Sequence, residues 1–358
     1  MSEAERGGED RRGSVVGTPR GGTAPAGWEH DDANPLPGRV DLVEVGLRDG
    51  LQNQSRTLAT ADKLLLLDGL VAAGIREIQL TSFVHPDRVP QMADAEALCE
   101  AVLDGQERPA SADGGSGGRF ADVAFSGLAL NLRGVQRLAA AGLQRVDLSL
   151  SASDSHGRRN AGMSREAAER HLLDAVAAAH DLGLSVRGGM QCAFGCGGEV
   201  ADDAYLDEVV RLSASIAAAG VTELALADSA GLATPLDVER LLRRVRFEVG
   251  ELPLVLHLHD TRGLALANFY VALRQGVTRF DTAFGGLGGC PFIPGATGNV
   301  ATEDVVNLLD MLGVASGIDV DRVCSVSQAA ESMLAVELPS TIYGLWRRTR
   351  AHREVVSA

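Results

Sequence analysis

The chain has 358 residues, and 45% of them are hydrophobic, so it can bury a large core. Its formal net charge of −15 argues against nucleic acids and anionic membrane surfaces as main partners. No apolar run approaches the roughly 20 residues that a membrane-spanning helix needs. Five cysteines do not suggest a disulfide framework, so we expect a reduced, cytoplasmic protein.

The composition of the N-terminal segment predicts irregular structure. Residues 1–37 are rich in Gly, Pro, Arg and acidic residues, which is typical of a disordered tail. The acidic residues in this tail argue against a mitochondrial presequence. We expect the catalytic domain over residues 38–345, with an exposed Gly-rich loop at 105–118. A C-terminal tail is expected at 346–358.

From residue 38 onwards, short apolar runs alternate with Ala- and Leu-rich helical patterns, and several of these patterns end at a glycine. Eight such units over this length predict a TIM barrel, with additional helices after about residue 315. A doubly wound open sheet is the alternative. The predicted strands are 40–45, 77–81, 123–130, 146–150, 185–190, 223–227, 254–258 and 279–283.

Potential metal ligands follow three of these strands. His257 and His259 stand two residues apart on the seventh strand, so both imidazoles point to the same side. Asp49 follows the first strand and Asn299 follows the eighth. Active sites of TIM barrels lie at these C-terminal strand ends. A carboxylate, two imidazoles and an amide suit Mg²⁺ or Mn²⁺. Two core histidines bonded to the backbone are the alternative reading of the pair.

Three further polar residues lie at the same end of the predicted barrel. Arg48 can stabilise an enolate or a carboxylate, or form a structural ion pair with Glu44. Cys290 lies in a Gly-rich loop that can close over a ligand and present a thiol. Asp228 can act as an acid–base group or support a metal ligand. Lys63 is the only lysine and lies early in a helical pattern, which argues against Schiff-base chemistry.

Seven segments match the motifs of one enzyme family: 43–53, 81–84, 89–92, 185–188, 257–260, 286–292 and 298–304. They resemble the 3-hydroxy-3-methylglutaryl-CoA (HMG-CoA) lyase family, which belongs to the metal-dependent lyases and Claisen synthases built on a TIM barrel. The Arg48-Asp49 pair and the His257-Leu258-His259 motif are shared by that wider group. The Cys290 loop is specific to the lyase branch.

The resemblance implies a retro-Claisen cleavage of a 3-hydroxyacyl-CoA that bears a carboxylate, giving acetyl-CoA and a 3-oxo acid, as in leucine degradation. It also implies a homodimer. Under this resemblance, Arg48 would stabilise the enolate and Cys290 would protonate it. The remaining implied site residues are the metal ligands Asp49, His257, His259 and Asn299, and the pocket residues Gln79, Ser82 and Asp228.

Gln79 departs from the family pattern, because members usually carry glutamate at this position. The change removes a negative charge that would face the arginine and the metal. A related 3-hydroxyacyl-CoA, or a hydroxy acid without CoA, therefore remains open as the substrate. Two other functions remain open: a condensing enzyme of the isopropylmalate or homocitrate synthase type, and a weakened homologue that only binds metal or acyl-CoA.

Overall fold

The protein was studied as a computed structural model, which describes residues 35–107, 118–196, 198–289 and 298–357. Within these ranges, eight parallel strands form a closed barrel in sequence order, and the last strand pairs with the first. This topology confirms the predicted TIM barrel and excludes the open sheet.

The strands lie where the apolar runs predict them, with ends that shift by no more than one residue. They are β1 (Asp41–Glu44), β2 (Glu77–Ser82), β3 (Ala124–Ala129), β4 (Arg145–Ser151), β5 (Ser185–Gln191), β6 (Glu223–Asp228), β7 (Leu254–Leu258) and β8 (Arg279–Thr282). The helices are α1 (Thr60–Ala72), α2 (Ala95–Glu107), α3 (Leu132–Ala140), α4 (Asp154–Ala161), α5 (Arg165–Asp181), α6 (Asp203–Ala218), α7 (Pro235–Val249), α8 (Ala265–Arg274), α9 (Thr302–Leu312), α10 (Val320–Leu334) and α11 (Thr341–Ser357).

The helices after the barrel confirm the predicted C-terminal additions. The segment 346–358, expected as a tail, is helical as far as Ser357 because it continues α11. Trp346, at the start of this segment, is only 3% exposed, and its ring stacks on Tyr343 of the same helix. Within the ranges given above, no helix has the length and apolar character needed to cross a membrane.

Two other predicted segments fall largely outside the described residues. These are residues 1–34 of the expected N-terminal tail and residues 108–117 of the expected loop. The start of that loop is helical, because α2 continues to Glu107.

A layer of four charged side chains closes the N-terminal end of the barrel. Arg279 Nη2 lies 2.6 Å from Glu77 Oε2, and Arg279 Nε lies 2.8 Å from Glu223 Oε2. Arg145 bridges the same two glutamates at 2.9 and 3.3 Å. These residues come from the even-numbered strands, as expected for one layer of a TIM-barrel interior. The next layer towards the C-terminal end therefore includes Gln79, Asp147 and Asp281 from three of these strands.

Glu44, at the end of β1, connects the loops that follow the first and last strands. Its Oε1 accepts hydrogen bonds from the backbone N–H groups of Gly46 (2.7 Å) and Phe284 (3.0 Å). Its Oε2 accepts a hydrogen bond from Thr302 Oγ1 at 2.6 Å. Burial raises the pKa of Glu44 to about 8, although these hydrogen bonds lower it. The folded protein therefore favours the protonated carboxyl at neutral pH.

We expect this carboxyl to make folding stability fall as the pH rises. Its pKa in the folded protein lies above the ordinary value of 4.5, so the stabilisation is complete below pH 4.5 and is lost as the pH rises through about 8. Glu44→Gln removes this titration, so the wild type should lose about 2 kcal/mol more than the variant between pH 6 and 8. Urea unfolding in EDTA measures this without metal linkage. Parallel pH curves for the two proteins would contradict the expectation.

Candidate metal centre and active site

His257 of β7 and His259, which directly follows that strand, face one another at the cavity in the barrel. Their Nε2 atoms lie 3.1 Å apart, and His257 Nε2 lies 4.0 Å from Asp49 Oδ2. The candidate ligand atoms of Asp49, His257 and His259 all lie within 4.8 Å of one another. In the part of the chain that the structure describes, this is the one group of His, Cys, Asp and Glu side chains that meets the geometry of a shared metal ion. The fold thus brings together three of the predicted ligands.

Asn299 reaches this cluster through backbone pairing. Its segment forms a bridge with His259, and Val300 N–H donates to Leu258 O at 2.8 Å. Asn299 Nδ2 donates to Asp49 Oδ2 at 2.7 Å, so its amide oxygen is free to face a cation. That oxygen is buried and has no hydrogen-bond partner among the described residues. A buried unpaired oxygen is costly, and a bound cation would satisfy it. Asn299 therefore fits the predicted ligand set.

The approach of Asn299 to Asp49 requires a glycine at position 288. The backbone of Gly288 has φ +132°, and an added Cβ would collide with Asn299 Nδ2. Any other residue here would push the amide away from the carboxylate. This gives one of the loop glycines a steric function, beyond the mobility inferred from the sequence.

Asp281 binds His257 on the side of the ring opposite the candidate metal-binding nitrogen. This residue was not among those predicted from the sequence. Its Oδ2 accepts hydrogen bonds from His257 Nδ1 (3.0 Å) and Arg187 Nη2 (2.5 Å). The hydrogen on Nδ1 leaves the lone pair of His257 Nε2 directed at the cluster. Burial would raise the pKa of Asp281, but Arg187 and His257 hold it well below its usual range. The available signal was a carboxylate within the predicted eighth strand, two residues after Arg279.

Arg48 forms contacts on both sides of its guanidinium. Its Nη1 donates to Asp49 Oδ1, and its Nε donates to Gln79 Oε1. The alternative ion pair with Glu44 is not formed, because Glu44 binds the backbone and Thr302 instead. Burial raises the pKa of Asp49, but Arg48 and the two imidazoles bring it below its usual value. Asp49 is therefore held as an anion, the form that binds a cation.

Two other predicted residues, Ser82 and Asp228, bind neighbouring protein groups. Ser82 Oγ donates to Gln52 Oε1 at 3.2 Å, and it is Gln52 that lines the cavity described below. The Asp228 oxygens accept the backbone N–H groups of Leu232 (2.9 Å) and Ala233 (3.0 Å). Since both oxygens are used in this way, the geometry favours a supporting function for Asp228 over proton transfer. Cys290 lies outside the described residues.

A cavity of about 190 Å³ lies beside the cluster. This space suits a small acyl group, since pockets that hold a whole drug-sized ligand measure roughly 300–1,000 Å³. Lys63 does not line the cavity, because its Nζ donates to Gln91 O at 2.6 Å and pairs with Asp94. Side chains of the cavity wall include Arg48, Asp49, Gln52, Gln79, Asp147, Ser149, His156, Asn160, Arg187, Gln191, His257, His259 and Asp281.

Comparison with known proteins identifies the family. Residues 39–330 match the HMGL-like family model. The hydroxymethylglutaryl-CoA lyase YngG of Bacillus subtilis is 34% identical over 306 residues, which cover 86% of this chain and 97% of the relative. The 3-hydroxy-3-isohexenylglutaryl-CoA/hydroxymethylglutaryl-CoA lyase of Pseudomonas aeruginosa is 36% identical, with 84% and 99% covered.

The solved structures agree with this assignment. The HMG-CoA lyase structure from Bacillus subtilis superposes with a TM-score of 0.78 at 32% identity, covering 87% of this chain and 99% of that one. Both the sequence match and the structural match extend over nearly the whole barrel. The chain therefore belongs to the HMGL-like family, as the motifs around the metal centre predict.

Proposed function

We propose that this protein is a metal-dependent carbon–carbon lyase that cleaves HMG-CoA or a related 3-hydroxyacyl-CoA. The observation that carries the proposal is the cluster of Asp49, His257, His259 and Asn299 beside Arg48, at the catalytic end of the barrel. The family relatives named as hydroxymethylglutaryl-CoA lyases support the same reaction. The ion is proposed to be Mg²⁺ or Mn²⁺, since the candidate ligands among the described residues are oxygen and imidazole groups.

In the proposed reaction, the C2–C3 bond breaks, the 3-hydroxyl loses a proton and C2 gains one. The chemistry that a divalent ion supplies here, when bound, is polarisation of the hydroxyl and carbonyl oxygens of the substrate. Arg48 lines the cavity and donates to the thioester oxygen as negative charge develops there. Cys290 is the proposed donor of the proton that C2 receives. Asp281 holds the His257 ring in the orientation and tautomer that a metal ligand needs.

The acyl group is constrained by the cavity. Its volume suits a short branched acid, whereas the nucleotide part of coenzyme A must lie outside the barrel. The Pseudomonas aeruginosa relative is named for two substrates that differ in the substituent at C3. HMG-CoA is therefore the first substrate to test, and other 3-substituted glutaryl-CoA thioesters come next. Cleavage of HMG-CoA would connect the protein to leucine degradation.

The test is to incubate the purified protein with HMG-CoA and Mg²⁺ or Mn²⁺, and to follow acetyl-CoA and acetoacetate by mass spectrometry. We expect product that EDTA abolishes and added metal restores. Metal binding without product would reject this substrate. Formation of a condensed acid from acetyl-CoA and a 2-oxo acid would favour the synthase alternative.

Location and assembly are separate proposals. Within the described residues, Cys99, Cys192, Cys196 and Cys324 form no disulfide, which suits the reducing cytoplasm. The family resemblance supports a homodimer. Light scattering on the purified protein tests this proposal.

A further inference from the structure

Gln79 connects Arg48 to a carboxylate that neither the motifs nor the family match assigns. Its side-chain oxygen accepts a hydrogen bond from Arg48 Nε, and its Nε2 donates to Asp147 Oδ2. Asp147 Oδ2 also accepts a hydrogen bond from Ser126 Oγ at 2.7 Å. Arg48, Gln79 and Asp147 all line the cavity inside the barrel, and the side chains of Gln79 and Asp147 are buried.

These contacts fix the direction of the Gln79 amide. An amide has one accepting end and one donating end, whereas a carboxylate only accepts. Asp147 therefore holds the donating end of Gln79, and the accepting end faces the guanidinium of Arg48. The reversed amide would set its NH₂ group against Arg48 and its oxygen against the carboxylate. Asp147 thus determines which end of the Gln79 amide Arg48 Nε meets, while Asp49 holds Nη1 of the same guanidinium.

The charges of the cavity wall explain why position 79 is neutral. Arg48 pairs with Asp49, and Arg187 pairs with Asp281. Asp147 adds a further carboxylate, which lies close enough to Arg187 to raise the pKa of that guanidinium. A glutamate at position 79 would put a second carboxylate in contact with Asp147 at a buried position. Such a pair is strongly unfavourable unless one member holds a proton.

We propose that Asp147 is a positioning residue of this active site, which acts on Arg48 through the amide of Gln79 and supplies the negative charge that a glutamate at position 79 would otherwise bring. This inference rests on the proposed function in one respect, namely that Arg48 acts on the substrate. The glutamine is accordingly an adaptation to Asp147, and it does not by itself weaken the site.

The first experiment exchanges the carboxylate and the amide. We compare Gln79→Glu, Asp147→Asn and the double variant Gln79→Glu/Asp147→Asn in full-length protein with saturating Mn²⁺. At pH 8, Gln79→Glu should lower kcat by about tenfold or more, because two carboxylates face each other. The double variant should recover most of that loss. Gln79→Glu alone should also regain activity as the pH falls towards 6, since a shared proton removes the repulsion.

The second experiment asks whether Asp147 acts through Arg48. Asp147→Ala should lower kcat by about tenfold in the parent protein and by much less in an Arg48→Gln background, because two substitutions that disrupt one chain of contacts are not additive. Glu77→Gln is the matched control. Glu77 is a barrel carboxylate two residues earlier on β2, paired with Arg279 at the opposite end. Its substitution should lower stability and leave kcat unchanged.

A substrate-free measurement separates this inference from the proposed function. Urea unfolding at pH 8 should show that Gln79→Glu is destabilising and that Asp147→Asn reverses the loss. This result, with no cleavage of any acyl-CoA, would reject the lyase proposal and retain the pairing of positions 79 and 147. Additive effects in unfolding and in kcat, without recovery in the double variant, would overturn the inference. If Gln79→Glu does not fold, a folded double variant supports the pairing and an unfolded one overturns it.

Discussion

The His257→Ala protein is expected to lose tight Mn²⁺ binding while keeping its fold. His257 Nε2 faces the Nε2 of His259 and lies close to Asp49, so its removal leaves the cluster one ligand short. Loss of a supporting residue typically costs ten- to about a hundredfold in metal affinity, and loss of a direct ligand should cost at least about a hundredfold. Isothermal titration with Mn²⁺ measures the change, and circular dichroism checks the fold.

Two further variants test whether the loss of Mn²⁺ binding is specific to His257. His171→Ala changes an exposed histidine of α5 and should leave Mn²⁺ affinity unaltered. Asp281→Asn weakens the hydrogen bond that orients His257, so it should give an intermediate loss of about ten- to a hundredfold. An unchanged Mn²⁺ titration for His257→Ala would remove this residue from the ligand set.

The Arg48→Gln protein is expected to bind Mn²⁺ almost normally and to cleave substrate slowly. The guanidinium lines the cavity beside Asp49 but is not itself a ligand. Because it is placed to stabilise the negative charge that develops on the thioester oxygen, we expect kcat to fall by about 10²–10³. Steady-state kinetics with saturating metal at pH 8 measure kcat, and the Mn²⁺ titration is repeated on the same sample.

Arg279→Gln provides the matched control for this loss. Arg279 is also a barrel arginine, but it pairs with Glu77 and Glu223 at the N-terminal end. Its substitution should lower the unfolding midpoint and leave kcat near the parent value. If Arg48→Gln instead raised KM with kcat unchanged, Arg48 would bind the ground state and the transition state equally.

The sequence alone determined the barrel and grouped the residues of the candidate metal site. Strands such as β7 are short apolar runs bounded by turn signals, and these are local properties of the chain. The TIM-barrel rule then places every strand end on one face, so Asp49, His257, His259 and Asn299 could be grouped although they are distant in sequence. The lone lysine was also interpreted correctly, since Lys63 is held by Gln91 and Asp94 away from the cavity.

Only the tertiary structure decided which side chains touch inside the barrel. Gln79 and Asp147 are 68 residues apart, and they meet because β2 and β4 contribute to the same interior layer. The sequence showed a missing charge at Gln79, whereas the structure shows a carboxylate on its other side. In the same way, Asp228 was chosen for its place at a strand end, but its oxygens bind the backbone of the following loop. Apolar periodicity specifies which face of a strand is buried, whereas polar pairing depends on register and distance across the barrel, which the pattern of one chain does not encode.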